Sequence, residues 1–594
     1  MSKGVGVVAI NGWTFPVDVK QMARRPIQSM RQMQDSGVRN GEQTLDNSAL
    51  WRRKSDDFVL GQGQTKFDQT EENSQRRQRA LSGFDPFTDR GALAVATSMG
   101  AGIAAYAGGT TGGTAVFPKL LKTAANWWLI PTVSGVMKHT TSLTNYATTN
   151  VTGLTDATDA TVHGTDVYIC NGTDVYSGST SGSSVSLFST VNTSFIEAVK
   201  GRLIGGSGAV LFELDSAGAS IPIFTHPDGA WSWVDFCGGN VGIYCAGHNG
   251  LKSEIYLSTL LDATGAIQPP GPVAELPSGE LIRSLDFFSG FLLIGTTKGV
   301  RVAQSTQSGL LNYGPLIELG DVTGTAFEGR FAYVTCSALP TFGGPGVVKF
   351  DMTRFSAPYT PAYAGAYPIT ASGYTPYDVG VSGGEVTCAL GNATNVQVQH
   401  TTAGTYGTGY AWSGLITFGV DEPKNIESVS VRFDALTSGQ SVQVDLYDKQ
   451  GGTLKASAIQ SQVGATELVL TGFSEVLEET AELLLTAVGA VTIRRWTMRA
   501  VPAPSRLPEE LIVPLMFHRE VTADDGTTHS IDGLKAWQFL RDLMKARTKV
   551  TLDFGNESLQ VWVDQVGFEG TMEKWDERGR WPEGIVIVRL VTVL

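Results

Sequence analysis

The feature that most constrains this chain is a recurring unit: an apolar run, a turn built on glycine, then a second run of β-branched and aromatic residues. It appears around Gly164 (HGTDVYICNGTDVYSG), Gly201 (KGRLIGGSGAVLFEL) and Gly239 (GGNVGIYCAGHNGLKSEIYL). It returns around Gly290 (SGFLLIGTTKGVRVA), Gly329 (EGRFAYVTC, resuming at GVVKFD) and Gly384 (GGEVTCALGNATNVQV). Successive units are 37, 38, 51, 39 and 55 residues apart. Glycine reaches the positive φ that tight hairpins require, and 70 glycines in 594 residues suit a chain of many short strands. A period of about 40 to 50 residues is that of propeller blades, small sheets stacked in a ring. Six such units predict a β-propeller over 91–404, in preference to a sandwich of meandering hairpins. The number of blades stays open between five and seven, because the stretch from Ala92 to Phe117 is irregular.

The glycine beat then stops. WSGLITFGV, SVSVRFDAL, SVQVDLYDK, ELVLTGF, AELLLTAV and VTIRRWTMRAV alternate apolar and polar residues, which predicts a β-sandwich or jelly roll over 405–505. Val501–Pro508 reads as a linker. The last segment, 506–594, reads as a small α+β domain with one amphipathic helix near Gly533–Arg547. Leu534, Trp537, Leu540, Leu543 and Met544 share a face of that helix. The C-terminal strand GIVIVRLVTVL is apolar enough to be hazardous at a sheet edge, so it is expected to be central or paired with another subunit.

Residues 1–90 differ from everything after them. They hold 14 Lys/Arg and 11 Asp/Glu, a balance of +3 that leaves −16 for the remainder. Apolar periodicity is nearly absent, and aromatics stand isolated in polar sequence. Such a segment cannot bury enough surface to fold alone. It is expected to be an extended N-terminal arm whose Trp51, Phe58, Phe67, Phe84 and Phe87 anchor in a neighbour's pockets. Trp537 is expected to serve docking in the C-terminal domain.

Several function classes lack support. A net charge of −13 disfavours a nucleic-acid partner. The five cysteines form no CxxC pair, so a disulfide framework or zinc site is not expected. Four of them lie in strand-like runs, where a free thiol acts as a small hydrophobe. No signal peptide is read at the start of the chain. Gly91–Pro118 is uncharged until its end but too rich in glycine and threonine for a membrane span. Gly380–Gly384 fits GxSxG, but a strand follows where the nucleophile elbow needs a helix, so a hairpin is expected. Gly61-Gln62-Gly63 lacks the strand and third glycine of a dinucleotide fingerprint. Thr225–Trp233 (THPDGAWSW) reads as an Asp-Gly turn flanked by packing tryptophans. No catalytic, metal or cofactor residues are assigned. Trp412 and Trp496 could offer a stacking surface to glycans, although core packing is the stronger reading.

A resemblance rests on the order Trp51-Arg52-Arg53, Phe58, Gly61-Gln62-Gly63-Gln64, Phe67-Asp68, Arg76–Arg79 and Gly83-Phe84-Asp85-Pro86-Phe87. This block is similar to one in minor tail proteins of long-tailed siphophages that infect actinobacteria, where it precedes a propeller-like region. The C-terminal segment, with Asp532-Gly533, the helix and Trp562-Val563-Asp564, resembles small domains by which tail-tip proteins attach to ring-shaped hubs. The resemblance implies a non-enzymatic structural protein of the virion tail tip or baseplate, synthesised in the host cytoplasm. Its implied partners are distal tail or hub proteins and neighbouring minor tail proteins, in a symmetric multi-copy assembly. A host glycan-binding adhesin is the alternative, and a cell-wall glycan-cleaving enzyme a more distant one.

Overall fold

The computed structural model describes residues 5–26, 51–67, 76–89, 91–100, 106–107, 118–123, 127–130, 138–140, 149–150, 154, 157–182, 184–260, 265–357, 359–392, 395–418, 424–471, 480–502, 509–518, 520–555, 557–569, 575–576, 579–580 and 584–592. Among them the protein is mainly β, with one α-helix. The chain divides into two compact units, residues 1–34 with 502–594, and residues 35–501.

In the first unit six strands close into a barrel. Their order is Trp13–Asp18, Val5–Ile10, Val550–Phe554, Glu557–Glu569, Gly584–Thr592 and Glu509–Phe517, and the last meets the first at Leu515 and Val17. Alternate residues fill the interior: Val8, Ile10, Phe15, Val17, Val513, Leu515, Val586 and Val588 are all buried. The C-terminal strand is central, paired on both sides. The helix Gly533–Ala546 starts where the Asp532 side chain accepts the Lys535 N–H, and ends at Arg547 in the left-handed region. Its buried face centres on Ala536 and Leu540, which leaves Leu534 at 42% exposure instead of on the shared apolar face.

Residues 1–90 are therefore not one extended arm. The hairpin Val5–Ile10/Trp13–Asp18 supplies two of the six barrel strands. Trp51–Ser55 pairs with Thr492–Pro502 in the second unit. The segment cannot fold alone: it completes sheets whose other strands lie much later in the chain, from Thr360–Pro368 and Thr408–Trp412 to Val550–Phe554.

In the second unit seven small sheets form a closed ring. Their first strands are Lys119–Lys122, Asp159–His163, Phe195–Val199, Ser232–Gly238, Ile282–Phe288, Thr325–Glu328 and Thr375–Ser382. Each lies against the next, and the last returns to the first. The seventh sheet is completed by Thr97–Met99 and Tyr106–Ala107, from upstream of the first. The six turn glycines read from the sequence all sit at or beside the hairpin between a sheet's first and second strands. At Lys200-Gly201 and Ser289-Gly290 both turn residues have positive φ, the two-residue turn whose twist matches the flanking strands.

The rest of the second unit is two sheets around one core. One runs Ala80–Ser82, Thr408–Trp412, Glu482–Val488, Ser441–Tyr447 and Leu454–Gln460. The other runs Glu467–Leu470, Lys424–Phe433, Thr492–Pro502, Leu93–Val95 and Phe84–Asp85. Strands from residues 51–95 are thus built into both the body and its core. WSGLITFGV is not a regular strand: Thr408–Trp412 ends where it begins, and Ile416 makes only an isolated bridge to Ala481.

Candidate functional site

The densest chemistry lies where the first strands of the ring meet. Lys119, Asp159, Glu197, Asp235, Asp286 and Asp378 occupy similar positions on six of the seven. β-Bulges re-aim two of them, since the register shifts between Trp233 and Asp235 and between Pro376 and Asp378. All of these except Asp286 take part in bonds from sheet to sheet. Asp378 accepts the Leu120 N–H at 2.8 Å, and Asp235 accepts that of Leu285 at 2.7 Å. Asp159 spans three sheets, holding Lys119 Nζ at 2.7 Å and the Ile196 N–H at 2.9 Å. Thr161 accepts the Ala198 N–H and donates to Glu197. Inner edges of neighbouring sheets leave backbone donors without ladder partners, and these carboxylates satisfy them.

Partial burial and neighbouring charges shift their titration. Burial pushes the Glu197 carboxyl up to about 8, against the pull of Lys119. It pushes Asp286 up to about 7, and Asp235 and Asp378 up to about 6. For Lys119 burial acts downward, but the carboxylates of Asp159, Glu197, Asp235 and Asp378 together hold the ammonium well above its usual value. Among the described residues no three His, Cys, Asp or Glu side chains stand close enough to hold a metal ion. Much of the acceptor capacity of this set is committed to backbone N–H groups, a structural use of carboxylates.

The sequence reading missed this set, yet a signal was present. Asp159, Glu197, Asp235, Asp286 and Asp378 each precede a turn glycine by four to six residues, inside a run that is otherwise mostly apolar. A charge repeated at one phase of a structural repeat marks a shared environment.

The expected docking aromatics lie elsewhere. Phe58, Phe67, Phe84 and Phe87 are buried in the core of the two-sheet body, with exposures of 0 to 3%. They anchor the chain to itself and leave nothing to insert into a neighbour. Trp51 is placed by its backbone pairing with Ala500. Trp537 is partly buried against the barrel core. The two glycan candidates are not brought together: Trp496 is fully buried against Phe67. Trp412 has the Arg79 guanidinium over its ring at 4.9 Å and Tyr447 beside it. Trp231 and Trp233 pack in the core around His226 and Tyr256. The GxSxG match is a hairpin, with Gly383 and Gly384 both at positive φ. All five cysteines are free and buried. Among the described residues no helix is long and apolar enough to cross a membrane.

The residues of the resemblance form a seam between ring and body. Gly61 and Gly63 let the backbone cross Tyr363, whose carbonyl accepts the Gln62 N–H at 2.8 Å. Asp85 pairs with Lys349 of the sixth sheet at 2.8 Å, both side chains nearly excluded from solvent. Phe58→Leu is expected to cost the isolated protein about 1 kcal/mol in denaturant unfolding. An exposed docking anchor would show no loss.

No protein-family model matches the chain, and no curated protein matches it. Among solved structures, the computationally designed Ika8 protein aligns at 10% identity and a TM-score of 0.34, over 54% of this chain and 96% of that one. Hydrazine synthase of Kuenenia stuttgartiensis aligns at 14% identity and 0.35, over 50% and 99%. A nidogen/laminin complex aligns at 12% and 0.29, over 37% and 88%. Likenesses this loose carry no argument about what the chain does.

Proposed function

We propose that the chain is a structural subunit of a bacteriophage tail tip, with the barrel as its attachment to the hub and residues 35–501 directed to the host surface. In this reading the ring is a seven-bladed β-propeller and the two-sheet body a β-sandwich. The observation that carries it is topological. Early and late strands complete one barrel, so residues 35–501 are a single insertion in its sequence. That organisation suits an attachment domain that carries an inserted module. The partners are distal tail or hub proteins and neighbouring minor tail proteins, in several symmetric copies.

The candidate docking residues of this unit are then exposed large apolar side chains, Trp13, Val19, Leu534 and Trp562, of the kind that marks interaction sites on a folded surface. Trp13 is held rigid by stacking on Phe539 at 4.8 Å. The adhesin alternative has less support, because Trp496 is core and Trp412 is covered by Arg79. Immunogold electron microscopy of purified particles, with antibody raised against the chain, is expected to label the tail tip. Label on the capsid or tail shaft, or none, would overturn the proposal.

A further inference from the structure

Six titratable side chains converge on the ring: five carboxylates and one ammonium. If all were ionised, four negative charges would remain uncompensated where the first strands meet, although none of the six side chains is sealed from solvent and Lys119 stays 34% exposed. Among the described residues the opposite charge acting on the set is that of Lys119, since the remaining first strand, Thr325–Glu328, contributes Glu328, which accepts the Gly384 N–H instead. The other titratable groups packed against the set are the buried thiols Cys170, Cys237 and Cys388, which carry no positive charge and are shifted upward by burial. Like charges held together in poor solvent cannot all ionise, and the set answers by keeping protons.

We propose that closure of the ring is coupled to proton uptake by the carboxylates Glu197, Asp235, Asp286 and Asp378, so that mild alkali loosens the ring at the junctions this set stitches. Three of those junctions flank the start of the ring. Asp378 joins the seventh sheet to the first, Lys119 and Asp159 join the first to the second, and Asp159 joins the second to the third. The first sheet is thus held on both sides by side chains of this set.

The direction follows from linkage. The Glu197 carboxyl rises from 4.5 to about 8 on folding, and that of Asp286 from 3.8 to about 7. Between those values the folded ring holds protons that the unfolded chain has released. Stability from these groups is complete near pH 4 and is lost progressively as pH rises from there through the folded values of about 7 and 8. Lys119, shifted upward, loses its contribution only in stronger alkali. This coupling is a property of the ring itself, independent of where the chain is used.

Hydrogen exchange of the full chain, followed by mass spectrometry at pH 6 and pH 8.5 and corrected for intrinsic rates, tests it. Peptides covering Asp159–His163 and Phe195–Val199 are expected to lose protection at pH 8.5, while barrel peptides such as Glu509–Phe517 serve as reference. Glu197→Gln retains the shape and the contact with Thr161 but cannot ionise, and is expected to abolish most of the pH-dependent loss. Asp286→Asn, which removes no bond between sheets, is the second variant and is expected to reduce it. Equal protection at both pH values would overturn the proposal, as would a loss that neither variant alters.

Discussion

Replacing Gly61 by alanine is expected to destabilise the second unit by about 4 kcal/mol or more, a loss reserved for a few mechanisms. Two of them act at this position. The residue sits at φ +67, where an L side chain costs about 1–2 kcal/mol. A Cβ would also stand 2.1 Å from the Tyr363 carbonyl oxygen and 2.9 Å from its carbon. Neither is the movable end of a flexible side chain, so the whole crossing must lift. Lifting it breaks the bond from Gln62 N–H to Tyr363 and disturbs Leu81, whose N–H is accepted by Gln62 Oε1 at 2.6 Å. Urea unfolding of the variant checks this. A loss under 1 kcal/mol would mean that the seam does not hold ring and body together.

Truncating Glu482 is expected to cost about 3–5 kcal/mol, the usual result of stranding one half of a buried ion pair. Arg79 donates to it through Nε at 2.5 Å and Nη2 at 3.2 Å. Side-chain exposures are 8% and 0%. Burial raises the Glu482 carboxyl against the pull of Arg79, a desolvation cost that the close geometry of the pair offsets. Glu482→Ala leaves the guanidinium with Thr341 and the Trp412 face as partners. The double variant Arg79→Met/Glu482→Leu removes both charges and is expected to recover most of the loss. A double-mutant cycle in urea separates the terms; additive losses would contradict the assignment.

What the sequence revealed, and what it hid, follows from the range of each interaction. The turn glycines were legible because a two-residue hairpin states its requirement locally, as at Ser289-Gly290. The strands of the body were legible where alternation was clean, as in Ser441–Tyr447 and Glu482–Val488. Leu454–Gln460 escaped notice because its exposed Leu454 and Ile459 blur the pattern of an edge strand. The fate of residues 1–90 was not legible. Phe58 and Phe67 show no period, since they fill gaps in a core built by residues some 350 to 440 positions later. A still longer separation hid the barrel, because Val5–Ile10 and Trp13–Asp18 pair with strands more than 490 residues later. The charged set on the ring was written in the sequence as acids phased to turn glycines, and it needed the repeat to be seen first.

The most direct test of the account is a cryo-electron microscopy reconstruction of the tail tip of particles that contain this chain. The account predicts the six-stranded barrel in contact with neighbouring tail proteins, with exposed side chains such as Trp13, Leu534 and Trp562 at that contact. A barrel free in solvent while the ring contacts the hub would contradict it, as would a tail tip in which the chain has no density.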